Sequence, residues 1–319
     1  MPSLMMFIFL YLVSFILVLS GDDWFLVWLG LEVNMLSFLM LIYSRFDQSC
    51  MEACLKYFFV QSLGSAMFMG LFYLNKGYLS DMIVVIMSYK MGAAPLYFWF
   101  PSVCSGLGWL SCFMLMTFQS IMPLMLVAMF MSWLVWVVMG LSLMFGVFGS
   151  FNQVNIKMLL AFSSIHHLGW IFLCNLYEDV VWIFYLLLYG IILYGIVIIV
   201  KEEEINYMLF VKKLKNKWWF VLNMLSMAGM PPLLGFFLSW MAFIYIMSIN
   251  ILFVVMMVVM SVIMFYVYLR IIYDVFTCYE LDFSYKNYCM DFDFNFKIEM
   301  ISLFGLFLGL GMIVLMFLW

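Results

Sequence analysis

Charge is scarce in this chain. Asp, Glu, Lys and Arg make up 9% of its 319 residues, and 69% are hydrophobic, at a mean hydropathy of +1.18. A soluble domain of that length has too few polar side chains to cover so much apolar surface. There is no basic stripe, which excludes a nucleic-acid partner. The seven cysteines (Cys50, Cys54, Cys104, Cys112, Cys174, Cys278 and Cys289) form no CxxC pair, so zinc or iron–sulfur ligation has no support and they read as apolar fillers. No Walker A loop, dinucleotide fingerprint or Ser/His/Asp arrangement occurs, so no soluble substrate or cofactor is expected to bind this chain directly. Segments alternating apolar and polar residues, as a transmembrane barrel needs, are missing too.

Thr, Gln, His and Pro are rare beside 36 Phe and 34 Met. Such a bias suits a coding strand poor in cytosine and a code rich in Met codons, and it points to an organellar genome. The apolar Met1–Ser20 segment lacks a basic flank and a small-residue cleavage site. It is expected to be a retained first span and not a signal peptide.

What the chain has is a series of apolar runs near 20 residues, the length a bilayer demands of a helix. The predicted fold is an all-α, polytopic membrane bundle, one domain over 1–319, with about eleven spans. They fall near Leu4–Ser20, Trp24–Tyr43, Cys54–Leu74, Met82–Phe100, Ser105–Met131, Ser132–Gly149, Val154–Cys174, Val180–Val200, Trp218–Met247, Ile251–Phe276 and Ile298–Trp319. On that count Arg45, Lys201, Lys212, Lys213, Lys215, Lys217, Lys286 and Lys297 share one face, with Lys56, Lys157 and Arg270 near its span ends. Lys76 alone faces the other way. The positive-inside rule then puts the N-terminus inside and the C-terminus outside.

Several spans carry helix breakers. Gly229-Met230-Pro231-Pro232 interrupts the ninth and Pro123 the fifth, and Pro95 stands in the fourth. Proline frees a backbone carbonyl, which lipid cannot satisfy, so such breaks mark either packing kinks or wet ion pathways.

Against this apolar background, mid-span charges stand out. Lys90 lies in the fourth run, where a lysine at the bilayer centre costs about 2.5–3.5 kcal/mol. Desolvation disfavours the charged form of an amine, which suits a group that gives up and retakes a proton. Glu32 is its acidic counterpart in the second span. Two readings stay open: a pair that separates to release the lysine proton, or a permanent pair that fixes helix packing. Lys56 and Lys157 open the third and seventh spans and either snorkel or take part. His166 and His167, the two histidines of the chain, sit mid-span as relay candidates or as packed core residues. Adjacent helical positions diverge by about 100°, so the two rings cannot serve one metal from one face. Arg270 and Asp274, four apart, are expected to pair locally.

Certain strings, in order, resemble the antiporter-like membrane subunits of respiratory complex I, and among them the mitochondrial subunit 2 family. They are Trp28-Leu29-Gly30-Leu31-Glu32-Val33-Asn34, Lys56-Tyr57-Phe58, Lys90 through Ala94-Pro95 to Trp99 and Pro101, Gln119 with Pro123, and Asn152-Gln153. Ser163-Ser164-Ile165 with His167 and Gly169-Trp170 follow, then Gly229-Met230-Pro231-Pro232-Leu233 with Gly235-Phe236 and Trp240. They cover most of Trp24 to Trp240. The resemblance implies an antiporter-like fold with broken helices, residence in the mitochondrial inner membrane, and an N-terminus on the matrix side. It implies that Glu32 and Lys90 form a proton-input pair, that lipids and other complex I membrane subunits are the partners, and that FMN, iron–sulfur clusters and ubiquinone belong to partner chains. It makes the chain part of an enzyme, the proton-translocating NADH:ubiquinone reductase, without redox chemistry of its own. The pattern is broken where the family usually has lysine: here stand Ser120 and Ser239. Serine holds no charge, so His166 with His167 and water is the expected bridge. Two alternatives remain beside a pumping subunit: a structural subunit with impaired pumping, and an Mrp-like cation/proton antiporter subunit.

Overall fold

The computed structural model describes residues 2–21, 23–44, 47–71, 79–177, 181–203, 205–211, 214, 216–231, 233–246 and 251–276. The eleventh expected span lies outside these residues, as do Arg45, Lys76, Lys212, Lys213, Lys215, Pro232, Cys278, Lys286, Cys289 and Lys297.

Every regular element among the described residues is an α-helix. They are α1 (Pro2–Leu19), α2 (Trp24–Ile42), α3 (Gln48–Gly70), α4 (Leu79–Met91), α5 (Trp99–Gly106), α6 (Trp109–Met116), α7 (Phe118–Met129), α8 (Leu134–Ser150) and α9 (Ile156–Tyr177). After these come α10 (Val181–Glu202), α11 (Met208–Val211), α12 (Lys217–Met227), α13 (Leu234–Ile246) and α14 (Ile251–Phe276). Among the described residues, five stretches are long and apolar enough to cross a membrane: Trp24–Ile42, Trp109–Met129, Ile156–Leu176, Val181–Glu202 and Phe253–Phe276. The expected all-helical membrane bundle is therefore the observed one.

The breaks refine the expected spans. The fourth does not run through to Phe100: α4 stops at Met91, and a new helix starts at Trp99. Gly92 takes a left-handed backbone (φ +74°), which ends the helix, and a Cβ there would lie 2.6 Å from that of Phe100. The fifth is interrupted at Thr117, upstream of Pro123, which sits inside α7. A proline at 123 displaces the carbonyl four residues earlier, that of Gln119, which lies within α7 and not at the interruption. The ninth breaks where expected. Gly229 is left-handed (φ +76°) between α12 and α13, and Pro231 is exposed in the connection.

The described residues form two compact units. The first comprises Met1–Gly146 with Lys157–Asp179. In it α1 lies on α2, where a Cβ at Gly30 would meet Val18 Cγ2 at 2.6 Å and Asn34 donates to Ser14 Oγ at 3.2 Å. The α8 and α9 backbones approach at Gly146, where a Cβ would lie 2.6 Å from the His166 nitrogen. Of the apolar window of α9, 94% is buried, against 44% for α2. The polar residues of α9 therefore face protein, whereas one side of α2 is left for lipid. Asn175 of α9 donates to the Leu124 carbonyl of α7 at 3.3 Å.

The second unit comprises Val147–Ile156 and the chain from position 180 onward. Here Gly195 of α10 admits the Asn223 amide of α12, whose Nδ2 would lie 2.9 Å from a Cβ. Gly235 packs so tightly on the Ser226 carbonyl that any side chain there would collide with it. A single antiparallel bridge joins Asn155 to Tyr207.

Gly146→Ala is expected to destabilise the protein by about 1–3 kcal/mol, because its new methyl meets backbone that cannot rotate away. Gly70→Ala, at a position with nothing within 4 Å, should be neutral. Thermal melting of the assembled protein carrying each variant distinguishes them.

Candidate functional site

The break after α4 creates the site. Helix ends leave carbonyls without intrahelical partners. Here the Ser88 carbonyl accepts from Ala93 N at 2.9 Å, and that of Tyr89 accepts from Gly92 N at 3.2 Å and Trp99 Nε1 at 3.0 Å. The Lys90 carbonyl accepts from Gln61 Nε2 of α3 at 2.9 Å. Lys90 thus occupies the last turn of α4, not the middle of an unbroken span. A helix C-terminus carries partial negative charge, a favourable place for an ammonium.

The Lys90 side chain is 5% exposed. Its stem crosses Gly64 of α3, where a Cβ would lie 2.9 Å from both Cγ and Cε, so only glycine leaves room for it there. Beyond the stem is a cavity of about 20 Å³ lined by Leu31, Asn34, Met35, Tyr57, Gln61, Lys90, Gln119, Met122 and Pro123. A water needs about 10–15 Å³ measured in this way and two to four polar partners. Both conditions hold here. Tyr57 donates from its hydroxyl to Gln119 Oε1 at 3.4 Å, and Gln119 Nε2 is buried without a hydrogen-bond partner.

Glu32 is half-buried on α2, one residue from the cavity-lining Leu31. Its charge acts on the Lys90 ammonium, yet no ion pair joins the two. Of the two readings, the permanent packing pair is therefore not what the structure contains. The carboxylate is near enough to influence the lysine without holding it.

The remaining candidates are placed as follows. Lys56 is exposed on α3, turned away from the cavity that its neighbour Tyr57 lines. Lys157 is buried in the first turn of α9, donates to the Leu107 carbonyl at 2.7 Å and lies 5.2 Å from the centre of the Trp109 ring. It caps the α5–α6 junction and does not line the cavity. His166 and His167 are both buried on α9, their ring centres 5.7 Å apart with planes at 72°. Trp170 Nε1 donates to His166 Nε2 at 3.2 Å, and the ring also lies against the Leu143 backbone of α8. Ser120 and Ser239 turn their hydroxyls back onto Thr117 and Phe236 carbonyls of their own helices, at 2.7 and 2.9 Å. Pro123 lines the cavity, while Pro95 is exposed beside the break. Arg270 and Asp274, half-buried on one face of α14, make no ion pair.

Gln61 and Gly64 are the residues that sequence reasoning missed. Gln61 had a visible signal, an amide mid-span one turn after Tyr57, but an amide alone does not tell which backbone group it serves. Gly64 had none, because a glycine in a span reads as packing.

Comparison with known proteins matches residues 21–80 and 73–264 to the family described as NADH:quinone oxidoreductase/Mrp antiporter, TM. NADH-ubiquinone oxidoreductase chain 2 of Anopheles gambiae is 34% identical over 97% of this chain and 96% of its own length. That of Rhipicephalus sanguineus is 32% identical over 93% and 97%. Among solved structures, a chain of respiratory complex I from Thermus thermophilus superposes with a TM-score of 0.79 at 23% identity, covering 95% of this chain and 77% of that one. A chain of the Mrp complex from Dietzia gives 0.71 at 17% identity, covering 80% and 57%. At these identities the structural likeness establishes the fold.

Gln61→Leu should leave the Lys90 carbonyl buried without a donor and cost about 1–3 kcal/mol. Thermal denaturation of the assembled protein measures it, with Gln61→Glu as a variant that keeps the shape.

Proposed function

The chain belongs to the NADH-ubiquinone oxidoreductase chain 2 family of antiporter-like membrane subunits, and from this we propose that it is a core membrane subunit of respiratory complex I that moves protons as NADH reduces ubiquinone. It works in the mitochondrial inner membrane as a multi-pass protein beside the other membrane subunits of the complex. The observation that carries the pumping role is Lys90: a buried amine at a helix break, beside a polar cavity of water size, with a carboxylate acting on it but not clamped to it.

In this reading Lys90 holds the proton at Nζ. Its charged form is favoured by Glu32 and by the α4 carbonyl end, and disfavoured by burial. A small displacement of either helix shifts that balance, which is how a distant event drives proton uptake or release. Redox chemistry stays on partner chains that hold FMN, iron–sulfur clusters and ubiquinone. The distribution of Lys and Arg favours a matrix N-terminus and an intermembrane-space C-terminus. His166, enclosed on α9, and His167 beside it serve as the onward station where Ser120 holds no charge.

The reading of an Mrp-like antiporter subunit is weaker, because the curated relatives that match nearly the whole chain are complex I subunits. The reading of a structural subunit predicts no loss of coupling on changing Lys90.

In assembled complex reconstituted into vesicles, Lys90→Met should lower the protons moved per NADH oxidised while the complex stays intact on native gels. An unchanged ratio refutes the pumping role and supports the structural one. His166→Asn should lower the same ratio. A ratio equal to wild type removes His166 from the path and leaves Lys90 in place.

A further inference from the structure

We propose that Trp170 is a positioning residue for His166: its indole N–H occupies Nε2, fixes the neutral ring with its hydrogen on Nδ1, and must turn away before the ring takes a proton. This rests on the reading of His166 as the onward station. It deepens that reading by naming the nitrogen that works and the side chain that controls it.

Two glycines bring α8 and α9 together here. A Cβ at Gly146 of α8 would lie 2.6 Å from the His166 backbone nitrogen, and one at Gly169 of α9 would lie 2.7 Å from Leu143 Cγ and 2.8 Å from Ser142 Oγ. The helices therefore cross closely, and the His166 ring lies against the Leu143 backbone. One turn along α9, on the same face, stands Trp170. Its Nε1 donates to His166 Nε2 at 3.2 Å, with ring centres 6.5 Å apart and planes at 74°. His166 is 3% and Trp170 2% exposed, so bulk water does not compete for the ring.

A neutral imidazole has one N–H donor and one bare acceptor nitrogen, and an indole N–H only donates. Nε2 is therefore the bare nitrogen, and Nδ1 carries the hydrogen. The opposite tautomer would set two N–H groups against each other at 3.2 Å. The same conflict arises when the ring takes a second proton, because Nε2 is the nitrogen with room for it. On loading, the indole bond to Nε2 breaks, an N–H bond forms, and the ring gains one positive charge. Release reverses all three, with nothing oxidised or reduced. The titratable neighbour is His167, its ring centre 5.7 Å away. Among the described residues, α8 meets this stretch through Ser142, Leu143 and Gly146, and α7 meets α9 through Leu124 and Asn175; none of these is charged or titratable. The indole is thus the neighbour that decides whether Nε2 is open.

The test uses assembled complex with His166→Asn, Trp170→Phe, and Trp170→Tyr, which keeps a donor. In complex labelled with ¹⁵N-histidine, the wild-type spectrum minus that of His166→Asn isolates the His166 ring. A bare Nε2 with a protonated Nδ1 is expected; a neutral ring with its hydrogen on Nε2 overturns the assignment, whatever the variants do. In vesicles, protons moved per NADH are then followed against pH. His166→Asn should lower the ratio. Trp170→Phe opens Nε2, so it should hold the ratio to a pH about one unit higher than wild type does, roughly the worth of one hydrogen bond. Trp170→Tyr should lie closer to wild type. A packing role alone would lower assembly or the ratio without moving that pH. If His166→Asn lowers the ratio while both Trp170 variants follow wild type at every pH, control by the indole is overturned and the station stands. If His166→Asn pumps as wild type does, the station reading fails and control by Trp170 falls with it, while Lys90 keeps its role.

Discussion

The structure depends on one constraint: an ammonium inside an apolar bundle must find compensation that lipid cannot supply. Lys90 finds it at the end of a helix. The left-handed turn at Gly92 stops α4, and side chains from α3 and α5 bind the carbonyls freed there. Gly64 then opens the lane along which the stem lies. The helix end and the polar side chains of neighbouring helices together make a charge tolerable at this depth.

Tolerable is not the same as locked. A lysine in direct contact with Glu32 would be held as a permanent cation and could not cycle. In this chain the carboxylate acts across a gap. Burial opposes the charged amine while the helix end and that carboxylate favour it, so movements of α2 or α4 change its proton affinity. The same logic explains why polar side chains cluster on α9. It is enclosed by protein, so His166, His167 and Asn175 lie where hydrogen-bond partners exist.

Much of this was legible in the residues. Apolar runs of bilayer length announced the helices, and Gly229 with Pro231 announced the break between α12 and α13. Lys90 and Glu32 were conspicuous as charges in hydrocarbon. The break at Gly92 was harder to see, because Lys90 to Phe100 is apolar enough to read as continuous, and a glycine does not declare its φ. The interruption at Thr117 lies six residues before Pro123, beyond the carbonyl that a proline displaces, so the proline did not mark it. The expected Arg270–Asp274 pair shows the limit of spacing arguments: four residues apart allows contact without requiring it. The cavity was out of reach, because it assembles from α2, α3, α4 and α7, and only the fold brings Asn34, Tyr57, Gln61 and Gln119 to one place.

The central claim is that the Lys90 amine changes its protonation during turnover. Infrared difference spectroscopy of the assembled complex, with ¹⁵N-labelled lysine and spectra taken before and after NADH addition, reads this directly. The account predicts an ammonium band that shifts with the label, changes on turnover, and is missing from Lys90→Met. A wild-type difference spectrum with no lysine band, or one that survives unaltered in Lys90→Met, would contradict it.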